Sequence, residues 1–238
     1  LRALDRLRGG VYDRDSLRSA IDTAVVRLLN NGYAPASDPL RDIDVDEATN
    51  RARVKLTFLP GHLAHIGRIA IEAQPNKAGQ PLAIDTETVH DLLSIETGDL
   101  YRQRDFLRSQ RDLYALETYS HVDVDVLPDS LQRSNTSLTA HVFVAEGLMK
   151  SMRVGVGWAS LDCARTQGRF TDRNFLGGAK SLELSARLSH IGLCPSSVRA
   201  DTAFSDLVNY YAAATLRLPS LFGPRNIPSL TAFSERTS

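Results

Sequence analysis

Met152-Arg153-Val154-Gly155-Val156-Gly157-Trp158-Ala159 decides how the rest of the chain is read. Met152, Val154, Val156 and Trp158 alternate with Arg153, Gly155, Gly157 and Ala159, the two-residue period of a strand with two unlike faces. Two later segments repeat the pattern. Leu182, Leu184, Ala186 and Leu188 alternate with Ser181, Glu183, Ser185, Arg187 and Ser189, and Tyr210, Ala212, Ala214, Leu216 and Leu218 oppose Thr215 and Arg217. A soluble sheet with one wet face has the same period. Glycine and small residues beside Arg and Glu on one register, with apolar and aromatic residues on the other, match instead a transmembrane β-barrel, polar inside and apolar outside. The segment lengths suit tilted spanning strands of about 9–11 residues.

Upstream of Gly147 one α+β module is written twice. Gly9, Val11 and Tyr12 match Gly98, Leu100 and Tyr101 (98 − 9 = 89; 101 − 12 = 89). Tyr33 and Gly61 match Tyr119 and Gly147 (119 − 33 = 86; 147 − 61 = 86). At this second offset Ala52, Val54, Leu56 and Phe58 fall on Leu138, Ala140, Val142 and Val144, apolar on apolar. So long a period fits tandem small domains better than stacked solenoid repeats.

Within the first copy, Leu17, Ala20, Ile21, Ala24, Val25, Leu28 and Leu29 recur at helical steps, predicting a helix over 15–31 capped by Asp13 or Asp15 and ended by Gly32. Its mixed polar face fits a helix covering a sheet rather than a membrane surface. A hairpin follows, 41–47 and 52–59 around Thr49-Asn50. The second copy reads strand 66–73, a Pro/Gly-rich loop at 75–81, helices 86–95 and 103–117, then strands 119–127 and 137–145. Its order is β-α-α-β-β, of which the first copy is expected to lack the opening strand and helix. The expected division is a partial module at 1–61, a complete one at 62–147, and about five barrel strands at 148–238. The chain reads as a fragment.

Composition narrows the function. With 28 basic and 28 acidic residues in 238, the chain lacks the charge imbalance of a nucleic-acid binder. No apolar run approaches the roughly 18 residues of a membrane helix, a scan to which barrel strands are invisible. Catalytic motifs fail one by one. There is no G-x-S-x-G, Gly178-Ala179-Lys180-Ser181 lacks the glycine a P-loop needs before its lysine, and Gly155-x-Gly157 lacks a third glycine and a following helix. His62 and His65 have no Cys or carboxylate beside them to complete a metal set. His121 and His141 read as a surface pair across a hairpin, and Asp172-Arg173-Asn174 as a turn with a structural ion pair. No catalytic, cofactor or metal residues are assigned, and the chain is not read as an enzyme.

Gly168-Arg169-Phe170-Thr171-Asp172-Arg173-Asn174-Phe175-Leu176-Gly177-Gly178, following Val154–Trp158 and preceding the Ser181–Ser189 strand, resembles the first barrel strands of the BamA/TamA outer-membrane assembly factors. The upstream modules resemble POTRA (polypeptide-transport-associated) domains, down to the Gly98…Tyr101 opening and the closing Gly61 and Gly147. Leu218-Pro219-Ser220-Leu221-Phe222-Gly223 is similar to the turn between the fourth and fifth strands of that family.

The resemblance implies a protein of the outer membrane with periplasmic N-terminal modules. It would insert or translocate unfolded outer-membrane or secreted client proteins, in contact with outer-membrane lipid and an accessory periplasmic subunit. It implies a barrel seam at the first strand, making Val154, Gly155, Val156, Gly157 and Trp158 candidates for client pairing. Gly155 and Gly157 either loosen that strand or make room for neighbouring side chains. A POTRA edge strand at 119–127 offers Val122, Val124 and Val126 as a second client surface, flanked by His121, Asp123 and Asp125. The implied topology sends Cys163 and Cys194 towards extracellular loops, where a disulfide is expected. The alternatives are a two-partner secretion-type polypeptide transporter and a soluble tandem β-rich binding or scaffold protein.

Overall fold

The computed structural model describes residues 2–5, 7–34, 36–127, 136–159, 163–189, 208–219 and 226–237. Four helices and ten strands follow in the order α1 (Arg2–Asp5), α2 (Arg14–Leu29), β1 (Leu40–Asp46), β2 (Arg51–Thr57), β3 (His65–Gln74), α3 (Thr86–Asp91), α4 (Gln103–Ala115), β4 (Tyr119–Val126), β5 (Ser137–Glu146), β6 (Lys150–Ala159), β7 (Cys163–Asp172), β8 (Ser181–Ser189), β9 (Asn209–Arg217) and β10 (Ser229–Arg236). By contacts the chain forms two compact units. One comprises Leu1–Glu72, Ser94–Gln110 and Asp123–Val142, the other Ala73–Leu93, Arg111–Val122 and Phe143–Ser238.

In the first unit Asp13 caps α2, its carboxylate accepting from the N–H groups of Asp15 and Ser16. Ala20, Ile21 and Ala24 form the buried stripe. Gly32 ends the helix at φ 98°, and a Cβ there would lie 2.7 Å from Leu100 and 2.8 Å from Leu63. Its carbonyl accepts from Ala64 N–H, and Asn30 Oδ1 accepts from Arg104 N–H, so the end of α2 is tied to the start of the next module. β1 and β2 pair antiparallel from Leu40↔Thr57 to Asp46↔Arg51. The turn between them is held by the Asp46 carboxylate on Ala48 and Thr49 N–H, with Asn50 at φ 49°. α1 is one helical turn where the sequence pattern gives none.

β3, β5 and β4 form a three-stranded sheet in that order. Burial alternates along β5 and along β4 from His121 onward, where Val122, Val124, Val126, Leu138, Ala140, Val142 and Val144 are all buried. Asp85 caps α3 through Thr88 N–H. α3 stops at Asp91, short of the expected 95, although Leu92, Leu93 and Ile95 remain buried. α4 buries Phe106, Ser109 and Leu113 and ends before Glu117, which adopts φ 58°.

β6 to β10 form a five-stranded antiparallel meander in the order β10-β9-β8-β7-β6. Its register is continuous: Met152, Phe170, Leu184, Ala214 and Ala232 share one row, and Val154, Gly168, Ala186, Ala212 and Ser234 the next. Arg153, Arg169, Ser185, Ala213 and Phe233 form a row of opposite parity, on the other face.

Candidate functional site

The apolar register of the five-stranded sheet is left uncovered. Met152, Val154, Val156 and Trp158 on β6 are all exposed, Val156 to 87%, as are Leu184 and Leu188 on β8. Charge on this face is confined to Lys150 and Asp172 at one end, paired at 3.5 Å, and Arg236 at the other. The opposite face carries Arg153, Gln167, Arg169, Glu183, Arg187 and Thr215, with Arg169 Nε 3.4 Å from Glu183. A soluble sheet with one wet face buries its apolar one; here the apolar face is exposed as well as the polar one.

β6 is a terminal strand of that sheet, paired with β7 from Lys150↔Asp172 to Ala159↔Cys163. Of the expected client-pairing residues, Val154, Val156 and Trp158 therefore share the exposed apolar face of an edge. Gly155 and Gly157 sit on the polar face beneath long side chains. A Cβ would come within 3.2 Å of Gln167 at Gly155 and within 2.9 Å of Arg165 at Gly157. Room for neighbours is the physical account of both glycines here.

Val122, Val124 and Val126 turn into the core. β4 is a terminal strand, but all three side chains are buried in the core, so they do not offer a side-chain docking surface. Only the β4 backbone edge remains for pairing, and Tyr114 Oη already accepts from Val122 N–H at 3.1 Å. His121 packs against Phe143, ring centroids 5.7 Å apart, while His141 Nε2 lies 3.5 Å from Glu72; the two histidines do not form the expected pair. Cys163 begins β7, and Cys194 lies outside the described residues, as does any bridge between them. Among the described residues no three His, Cys, Asp or Glu side chains gather as a metal set.

A junction that sequence reading missed lies below β6. Buried Glu146, the last residue of β5, accepts from the N–H groups of Ala83 and Ile84 at 2.7 and 2.8 Å, fixing the loop that leads into α3. That same loop is gripped from the β7–β8 turn, where Asn174 Nδ2 donates to Ala83 O at 2.6 Å and Asn174 Oδ1 accepts from Ala179 N–H at 3.1 Å. Arg173 donates through its backbone to Met149 O (2.8 Å) and through its guanidinium to Leu148 O (3.0 Å), and approaches Glu117 at 3.8 Å. Gly147 donates to Thr118 O, and a Cβ on it would press within 3.2 Å of that carbonyl. Burial, with Glu146 and then Asp85 adding, raises the Tyr119 phenol well above its ordinary range. The β-α-α-β-β module is thus hydrogen-bonded to the β7–β8 turn of the sheet that follows it.

No known protein family pattern matches the sequence, and no curated protein matches it. The structure is similar to that of BamA from Haemophilus ducreyi lacking POTRA domains 1–3, with a TM-score of 0.62 at 14% identity, covering 94% of this chain and 45% of that one. POTRA domains 3–5 of Haemophilus influenzae BamA align at TM-score 0.49 and 16% identity (61% of this chain, 54% of that one), and CdiB from Escherichia coli at 0.46 and 14% (92% and 36%). The chain spans less than half the length of the Haemophilus ducreyi protein. What the described residues form is a POTRA-like β-α-α-β-β module followed by a five-strand antiparallel sheet, similar in structure, at low sequence identity, to POTRA-containing BamA.

Proposed function

We propose that this chain belongs to an outer-membrane assembly or translocation factor. Its periplasmic POTRA-like modules receive unfolded client polypeptides, and β6, as the seam of a barrel, templates the incoming strand. The carrying observation is the two-faced sheet: apolar residues exposed on one face, arginines and glutamates on the other, ending at edge strand β6 and hydrogen-bonded to a POTRA-like module. In lipid each unpaired backbone group costs several kcal/mol, so such an edge favours a pairing partner strongly and reads backbone register more than side-chain identity. No reacting group is required.

The test is recovery of the protein in outer-membrane fractions, a gel-mobility shift on boiling, and cysteine cross-linking from position 156 to a client during its insertion into vesicles. A soluble, heat-insensitive protein sinks the barrel reading. A client folded in the bilayer marks assembly, and one released across it marks secretion.

A further inference from the structure

The polar face of β6–β10 carries Arg153, Arg165, Arg169, Arg187 and Arg217 against Glu183 and Glu235, an excess of three positive charges (5 − 2 = 3) in a chain of zero formal charge. At the junction end, Arg153, Arg169, Arg173 and Arg217 line one cavity of about 350 Å³ with Glu117 and Glu183. Both carboxylates are engaged, Glu183 by Arg169 and Glu117 by Arg173. Arg153 stands directly opposite Arg169, a like-charge cross-strand pair that costs stability. Among the described residues the side chains of Arg153 and Arg217 have no ion-pair or hydrogen-bond partner, and the buried Nε of Arg173 has none either. The Ser151 and Thr171 hydroxyls complete a lining that is almost wholly polar.

We propose that this arginine-lined cavity receives the carboxylates of an acidic, extended polypeptide segment, an inference that rests on the client-handling reading above. Guanidinium forks match carboxylates bidentately. The length of the feature favours a chain over a small oxyanion. Arginines recur beyond the cavity at Arg187 and Arg165, two and four residues further along the strands than the Arg153–Arg169 row. Successive levels lie roughly 7 Å apart, the spacing of alternate side chains on an extended peptide.

The experiment titrates a fluorescent ten-residue peptide of alternating Asp and Ser, and its Asn/Ser counterpart, against the vesicle-reconstituted protein. Only the acidic peptide is expected to bind, more weakly as salt rises. Arg153→Gln with Arg217→Gln should weaken it about a hundredfold, roughly tenfold per charge-assisted contact, whereas Arg236→Gln on the apolar face leaves it unchanged. Equal binding of the Asn peptide overturns the proposal on the unaltered protein alone. So does undiminished binding by the double variant with its heat-modifiable mobility intact, or displacement by inorganic phosphate at matched charge concentration. Failure of the client-handling reading looks different: the unaltered protein binds the acidic peptide yet inserts or exports no client.

Discussion

Ala186→Arg separates a lipid-facing sheet from a wetted one. Ala186 lies on β8, the middle strand of five, and is flanked in register by Gly168 and Ala212. Its methyl is exposed, and neither neighbour blocks a longer side chain. On a sheet in water the change falls within about 0.5 kcal/mol of neutral. At the middle of a bilayer it costs about 2–4 kcal/mol, a shift of roughly thirty- to several-hundred-fold in the folding equilibrium. Thr215→Lys is the matched control. Thr215 is on the polar face directly opposite Glu183, and a lysine there gains an ion-pair partner. The assay is urea titration of folding into phosphatidylcholine vesicles, read by heat-modifiable mobility. The reasoning is refuted if Ala186→Arg costs under 0.5 kcal/mol, or if Thr215→Lys costs as much.

Asn174→Ala removes the bonds to Ala83 O and from Ala179 N–H; at about 1 kcal/mol each the junction loses roughly 2 kcal/mol, seen as faster hydrogen exchange at Ala83 and Ile84 with β9 unaffected. Gly32→Ala places a Cβ at φ 98° against Leu63 and Leu100, and costs about 1–2 kcal/mol together with protection of Ala64 N–H; an unchanged melting temperature refutes it. Hydrogen bonds from the Thr88 side chain and N–H hold the Asp85 carboxyl below its ordinary range, as those from Ser16 and Thr49 do for Asp13 and Asp46. Because the folded value is the lower one, this stability is complete above the unfolded value near pH 4 and is lost as pH falls through the folded values. Asp85→Asn should flatten part of that acid loss, and an unchanged acid profile contradicts the assignment.

The elements legible in the sequence are those set by local rules. Two-residue alternation located β4, β5, β6, β8 and β9 to within a few residues, and the Asp13 cap and Gly32 stop bounded α2 because both act within one turn of the chain. α3 was overextended because Leu92, Leu93 and Ile95 continue an apolar pattern after the backbone has left the helix; burial alone does not reveal that change. Val122, Val124 and Val126 lie on a terminal strand as expected, and their burial follows because an edge strand still covers one face. The junction was illegible because its contacts are non-local: Asn174 reaches Ala83 across 91 positions and Glu146 reaches Ala83 across 63. A lone Glu ending a strand and an Asn in a turn carry no signal of such partners.

What remains is what covers the apolar face of β6–β10. Lipid and a second protein sheet both satisfy hydrophobicity. β6 and β7 have ten residues each and β8 and β9 nine, but β3 and β5 of the three-stranded sheet also have ten, so length permits a spanning strand without requiring one. At about 3.3 Å per residue ten residues extend about 33 Å, and a tilt of about 40° reduces this to a height of about 25 Å, that of the apolar band on a membrane barrel. On the opposite face Glu183 engages Arg169 but leaves Arg153 beside it unpaired, a repulsion that water or an anion relieves. A water-filled interior supplies the first and an acidic segment the second. The proposed arrangement, lipid on one side and a wet, anion-receptive interior on the other, therefore rests on the two unlike faces, with apolar side chains exposed on one and Arg153 left without a side-chain partner on the other.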